Sequence, residues 1–584
     1  MAENQKQSEE VVVQRATWEW SEMWKKEDWW AIWLGAIILI VGLIIFMPRP
    51  PADMDAKISK AEETMAKEKA KAPFDTIEWH GANDALSGLR ARDGAHGKFL
   101  AKWLASPVRW ANKPIDSLYL GDKDAAQGRT AAEPKYKAAQ EKTKEALNKA
   151  KAVQAEAAAA DFKNVELNKK AEDAIDAWRK ARHTERGSVR AAATTQPYNR
   201  IPTLIVLMIV FTLFFSIGTK PMGVKTGQFM KGFWFVFLIA VIAGIVGQQA
   251  TLAKYGFGDI LWAIILGMLI SNTIGTPKFA KPALMTEYFI KTGLVLLGAE
   301  ILFSKILAIG TPGIFVAWLV TPTVLILTYW FGQRVVGMES RTLNITVSAD
   351  MSVCGVSAAI ATAAACRAKK EELTIAIGMS MLFTAIMMIA LPAFIVAVGM
   401  NPVLGGAWIG GTVDSTGAVV AAGAMLGDVG MFVAATVKMI QNILIGVIAF
   451  GVAVYWCTKV DCIPGERVSK MEIWYRFPKF VLGFIAASIV FSWMLTSMGA
   501  AGDVMIDQGV LRGFSRMLRE WMFLLAFASI GLSSNFREMA KYFKGGKPVI
   551  LYVCGQSFNL ILTLTMAYIM FMLVFPGITA NLLK

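Results

Sequence analysis

Histidine is almost absent from this chain: three residues in 584, all at or before His183. The long apolar part that follows has no imidazole for acid–base work. It also lacks a Ser-x-x-Lys or Gly-x-Ser-x-Gly elbow in a strand context and any Walker loop, so neither a hydrolytic nucleophile nor an ATP site is expected. The chain reads as a non-enzyme. Cysteine is scarce as well. Five residues without paired spacing give no disulfide framework. Cys457 and Cys462 stand in CTKVDC with no second pair and no nearby histidine, which fits a reduced pair better than a metal site. No cofactor is expected. His80, His96 and His183 are scattered and read as surface residues rather than ligands.

Charge is sparse at 18%, whereas hydrophobic residues make up 55% and methionine alone numbers thirty. With a mean hydropathy of +0.45, these values describe an all-α polytopic membrane protein. The net charge of +15 does not point to nucleic acid, because Lys and Arg collect in the cytoplasmic loops of membrane proteins.

Residues 1–28 are polar and Trp-rich (Trp18, Trp20, Trp24). The run WWAIWLGAIILIVGLIIFM follows, about 29–47, long enough to span and without a small-residue cleavage site behind it. It is expected to be a retained membrane anchor, with Trp29, Trp30 and Trp33 at the headgroup level. Pro48, Pro50 and Pro51 end it and open a soluble insertion, residues 48–200. From Lys135 to Arg186 the insertion is rich in Ala, Lys, Glu and Gln, with no Pro or Gly. That composition favours long, coiled-coil-like helices. About fifty residues would reach roughly 75 Å as one helix, so a folded-back hairpin or a bundle of several copies is expected. Docking of a partner protein or homo-oligomerisation is the role such a module suggests.

Residues 201–584 form the membrane domain. Apolar segments fall near 201–217, 230–249, 258–275, 285–304, 312–332, 343–366, 371–399, 403–427, 430–456, 477–498, 519–535 and 547–576. With the anchor this makes thirteen, several short or glycine-interrupted, as in carriers with discontinuous helices. The loop set with Lys220, Lys278, Arg334, Arg467, Lys541 and Lys544 is more basic than the alternate set with Lys254, Lys305 and Arg367. That difference places the N-terminus in the cytoplasm of a bacterial inner membrane. A short echo, Gly298 to Phe303 and Gly531 to Phe536, hints at an internal repeat.

Two small-residue segments carry acids at mid-span: Ser348–Cys366 and Gly405–Gly427. An intramembrane acid is costly and marks an ion or solute path. Asp350 and Asp414 are therefore candidates for a coupling proton or cation. Ser352, Ser357, Ser415 and Thr416 offer hydroxyls. Gly355, Gly411 and Gly417 permit helix breaks that aim amide groups at an anion. Lys438, in AATVKMIQNILIG, is either an anion ligand or the partner of the acids. Cys354 and Gln441 complete the candidate set. Lys291 and Glu300 lie nine apart, on opposite sides of one helix, and are not expected to pair. Asn272, at the end of AIILGMLISNT, is a further candidate to line the cavity.

Several stretches resemble a known family, the YeiH-like integral membrane transporters of the sulfate exporter family. They are AIILGMLISNT (Ala263 to Thr273), TGLVLLGAEILFSKI (Thr292 to Ile306), SVCGVSAAIAT (Ser352 to Thr362), WIGGTVDSTGAVVAAG (Trp408 to Gly423), AATVKM (Ala434 to Met439), FPKFVLGF (Phe477 to Phe484) and ASIGLSSNF (Ala528 to Phe536). The resemblance covers about 230–576 and omits the first 200 residues. It implies two inverted repeats with crossed, discontinuous helices, and export of an oxyanion such as sulfate, sulfite or a sulfonate. Family members often carry His before the acid in the segment Val413-Asp414-Ser415, Gln at the place of Gly417 and Arg at the place of Gln441. Asp350 stands where they have a small polar residue. The leading expectation is an anion exporter driven by a proton or cation gradient. Two others stay open: a cation/proton antiporter on the same scaffold, and a non-transporting membrane sensor or scaffold.

Overall fold

The architecture is described from a computed structural model, for residues 12, 19–254, 258–460, 470–537 and 546–583. Trp18, Cys462, Arg467, Lys541 and Lys544 lie outside the described residues. The structure is 82% helical. Contacts divide the chain into two compact units: Met1–Ile38 with Met208–Ser492 and Leu518–Lys584, and Leu39–Leu207 with Trp493–Met517.

In the second unit the insertion folds back on itself. Asp122–Ala159 and Val165–Thr184 form an antiparallel helical hairpin. Its turn uses left-handed Asp161 and Phe162, and the Asn164 side chain accepts from the amides of Glu166 and Leu167 to cap the return helix. The seam mixes small and large residues: Ala150 and Ala157 of the first helix pack with Ala171, Ala174, Ile175 and Trp178 of the second. The helices Met54–Lys71 and Ile77–Gly88 lie N-terminal to it, the latter capped by Thr76. Tyr119–Leu120 pairs antiparallel with Tyr198–Asn199, joining the segment before the hairpin to the end of the insertion. One expectation is corrected here. His96 and His183 are exposed, but His80 is buried, edge-on to Trp79 with ring centroids 5.0 Å apart. Periodicity hid it, because the apolar face of Ile77–Gly88 is thin.

Helix Glu27–Phe46 (α1) is the first of the long apolar helices, and its residues up to Ile38 belong to the first unit. Its tryptophans do more than line a headgroup belt. Trp30 donates to the Trp24 carbonyl at 2.7 Å and Trp33 to that of Met23 at 3.2 Å, while Trp24 stacks on Trp33. Thr286–Glu300 (α2) is short and buried. Arg341–Ser352 (α3) and Val356–Ala365 (α4) are one apolar segment broken in two. Lys370–Ala397 (α5) is continuous, whereas Pro402–Thr412 (α6) and Thr416–Ala424 (α7) are a second broken segment. Gly427–Val460 (α8) and Lys547–Val574 (α9) are long.

Among the described residues eight helices are long and apolar enough to cross a membrane. The five other expected segments fail that test for identifiable reasons. Two are broken at the acids. Asp259–Thr273 and α2 have only 15 residues each. Arg516–Ser533 carries Arg516, Arg519 and Glu520. Lys291 and Glu300 do not pair, as expected; Glu300 instead takes Arg519 at 2.7 Å in a buried contact. Gly531 meets Gly267 rather than Gly298. Beside that contact Ser271 and Asn272 donate to Ser534 O, and Asn535 donates to Ser271 O. Asn272 is thus used to join two helix ends.

Burial, the largest cause, and the nearby Arg179 charge hold the His80 imidazole below its ordinary value of 6.5. The folded state therefore takes up the proton less readily than the unfolded one, and stability falls as pH drops below that value. Thermal melts of the full chain should lose stability between about pH 7 and about pH 5. The His80→Gln variant should show a smaller loss over the same interval.

Candidate functional site

The site is built where the two broken segments approach α8. The first break is possible because Gly355 takes φ +64, a conformation side chains rarely adopt. A Cβ there would also lie 3.0 Å from Ser380 Oγ and 3.3 Å from Asp414 Cβ. The second break is extended at Val413 and Ser415, with Asp414 between them. Gly406 and Gly410, one turn apart, let α6 lie on α8, since a Cβ on either would come within about 2.7 Å of the Gly430 or Ala434 carbonyl.

Breaking a helix in an apolar core orphans its last carbonyls. Here each is answered by a side chain. Lys438 donates to Val353 O at 2.6 Å, to Val413 O at 2.9 Å and to Gln441 Oε1 at 2.7 Å. Gln441 donates to Ser352 O and Gly411 O, both at 3.1 Å, and to Thr321 Oγ1 at 3.0 Å. From α9, Gln556 donates to Thr412 O at 3.0 Å and Asn559 to Met351 O at 3.3 Å. The last two carbonyls of α3 and of α6, and that of the residue after each, are all satisfied. The lysine charge also sits at the negative ends of both helix dipoles.

This changes the role of Lys438. It is 1% exposed, its three protons are spent on the two breaks and on Gln441, and it forms no ion pair with Asp350 or Asp414 within 4.0 Å. The acids stand apart from it. Asp414 Oδ2 accepts a short bond from the Tyr552 hydroxyl and longer ones from Ser380 and Thr384, at 3.3 and 3.4 Å. Its Oδ1 has no partner. Asp350 is fully buried and neither of its oxygens has a hydrogen-bond partner. A charge in that position needs a proton or a cation to compensate it.

On the other side of the breaks lies a cavity of about 280 Å³. Cys354, Ser357 and Thr416, at the starts of α4 and α7, line it together with Asn442. So do Lys26, Lys291, Arg476 and Lys479, against Glu27, Asp28 and Glu287. Asn442 donates to Thr416 Oγ1 at 2.9 Å, while its buried Oδ1 has no partner. Of the remaining candidates, Ser352 bonds within its own helix. Gly411 packs on Thr563 and Val316. Ser415 is half-buried. At Gly417 a Cβ would make only ordinary contact with Ile290 and Ile530. The sequence reading missed Tyr552, Gln556, Asn559 and Thr563, yet they form a readable signal: a polar stripe at i, i+4, i+7 and i+11 along an apolar helix. Ser380 and Thr384 form a second such pair.

Among known proteins, the model for the family described as conserved hypothetical protein 698 matches residues 231–552. A UPF0324 membrane protein of Nitratidesulfovibrio vulgaris is 55% identical over 583 residues, all of both chains. One from Rhodopirellula baltica is 56% identical over 65% of this chain and 69% of its own. The inner membrane protein YeiH of Escherichia coli is 26% identical over 54% of this chain and 87% of its own. No solved structure matches.

Lys438→Met should cost about 2–5 kcal/mol, because it leaves two buried carbonyls unanswered. Asp350→Asn, which neutralises an unpartnered acid, should leave stability unchanged or raise it. Unfolding of both purified variants in detergent measures the contrast.

Proposed function

The chain belongs to the UPF0324 membrane proteins, described as conserved hypothetical protein 698, and on that premise we propose that it is a secondary active transporter of a small anion. Sulfate, sulfite or a sulfonate is the solute class, and a proton or cation held by Asp350 and Asp414 supplies the coupling. The observation that carries this reading is the pair of broken segments. Their C-terminal ends are fastened to one lysine and one glutamine. Their continuing halves begin at one cavity with four basic side chains. Helix N-termini and cations favour an anion, and discontinuous helices around a central site suit alternating access by two inverted repeats. With the N-terminus in the cytoplasm, the cavity beside Glu27 and Asp28 faces the side from which an exporter loads. The anion is therefore assigned to the cavity, and Lys438 to the frame behind it.

One observation favours cation/proton exchange on the same scaffold. Asp350, with no partner for either oxygen, is the kind of group that takes a proton or a cation on its own.

Reconstituted full-length protein decides between them. Labelled sulfate or sulfite flux should fall about tenfold or more in Asp414→Asn, with the anion flux of the wild type following an imposed pH or cation gradient. Undiminished anion flux in the Asp350→Asn, Asp414→Asn double variant contradicts the coupling role. Cation–proton exchange with no anion flux selects the second reading.

A further inference from the structure

Lys291 is the one cavity-lining cation that lies on α2. It is 14% exposed and surrounded by acids: Glu27 Oε1 at 2.6 Å, Asp28 Oδ1 at 2.9 Å and Glu287 Oε2 at 3.5 Å. Two of these three come from the first turn of α1, a helix that precedes residues 231–552, the part the family model matches. Asp28 is itself held, since Oδ2 accepts the Lys479 amide at 2.8 Å. The cavity floor lacks what this rim has in excess. Thr416 and Ser357 open two helices of nine and ten residues there, and Asn442 brings a buried amide whose oxygen has no partner. The Asn442 amide also donates to Thr416 Oγ1 at 2.9 Å, which ties α8 to the start of α7 beside the cavity. The two helix starts bring no acidic side chain to the cavity, while Lys291 is held by carboxylates from α1.

We propose that Glu27 and Asp28 form a tethered acidic plug, holding Lys291 in the place a sulfur oxyanion takes, so that α1 sets the occupancy of the cavity. This rests on the anion-carrier reading and adds to it a named anion ligand and a built-in competitor. Four basic and three acidic side chains line the cavity with α1 in place. Withdrawing Glu27 and Asp28 leaves one acid against the same four, and the field turns strongly toward anions. The exchange is one of partners: Lys291 gives up two carboxylates as the oxyanion's oxygens arrive, and the first turn of α1 moves aside. A carrier built this way is restrained until anion concentration or a displacement of α1 frees the lysine.

Binding of inorganic sulfate and of sulfite to the purified full chain, by calorimetry in detergent, tests this. Glu27→Gln with Asp28→Asn should tighten binding by about tenfold. Glu27→Gln alone, which keeps Asp28 on the Lys479 amide, should give an intermediate gain. Lys291→Gln should abolish binding in either background. Glu133→Gln, removing an exposed acid in the insertion, should change nothing, and a cooperative melt of each variant confirms folding. Wild-type affinity in both Glu27→Gln and the double variant, with binding still lost in Lys291→Gln, overturns the plug and leaves the carrier reading standing. Unchanged binding in Lys291→Gln overturns the assignment of the ligand. Failure of every folded variant and of the wild type to bind or carry either anion overturns the carrier reading as well.

Discussion

Two interrupted helices in an apolar interior impose one demand above all others: their terminal carbonyls must be answered without water. Lys438 and Gln441, one turn apart on α8, meet that demand for both breaks at once, with Gln556 and Asn559 completing it from α9. The glycines, the crossing of α6 over α8 and the position of the acids follow from this arrangement. A lysine placed at two negative helix ends gains from both dipoles. It also makes the two breaks mechanically dependent on each other, because a shift at one is transmitted through the same ammonium group to the other.

The frame separates charges by task. Carboxylates gather behind the breaks, where Asp414 keeps three hydroxyl donors and Asp350 keeps none. Four cations and three carboxylates line the cavity before them, at the starts of α4 and α7. In the proposed carrier, the coupling ion at the acids and the anion in the cavity act on the same pair of broken helices.

Much of the frame is legible in the chain. Length and hydropathy give the long spans, and the clustering of glycine and small polar residues around Asp350 and Asp414 marks both breaks. The Ala-rich run after Lys135 is legible as a folded-back helix. What periodicity does not carry is the direction of a long side chain. Lys438 is equally placed, by sequence, to face an acid, an anion or a carbonyl, and only the geometry of the two helix ends chooses the third. Glu27 and Lys291 are 264 positions apart, and no local pattern joins them. Gln556 and Asn559 were within reach, since polar residues on one stripe of an apolar helix need partners. His80 was not, because burial there depends on tryptophans from two separate helices.

In the proposed carrier an oxyanion occupies the cavity before the breaks while the acids behind them handle the coupling ion. A density map of the full chain saturated with sulfate or sulfite tests it most directly. Density for the anion is expected between Lys291, Asn442 and Thr416, with Glu27 displaced from the lysine and Lys438 still on Val353 and Val413. An empty cavity with the anion bound by Lys438 beside Asp414 would contradict it.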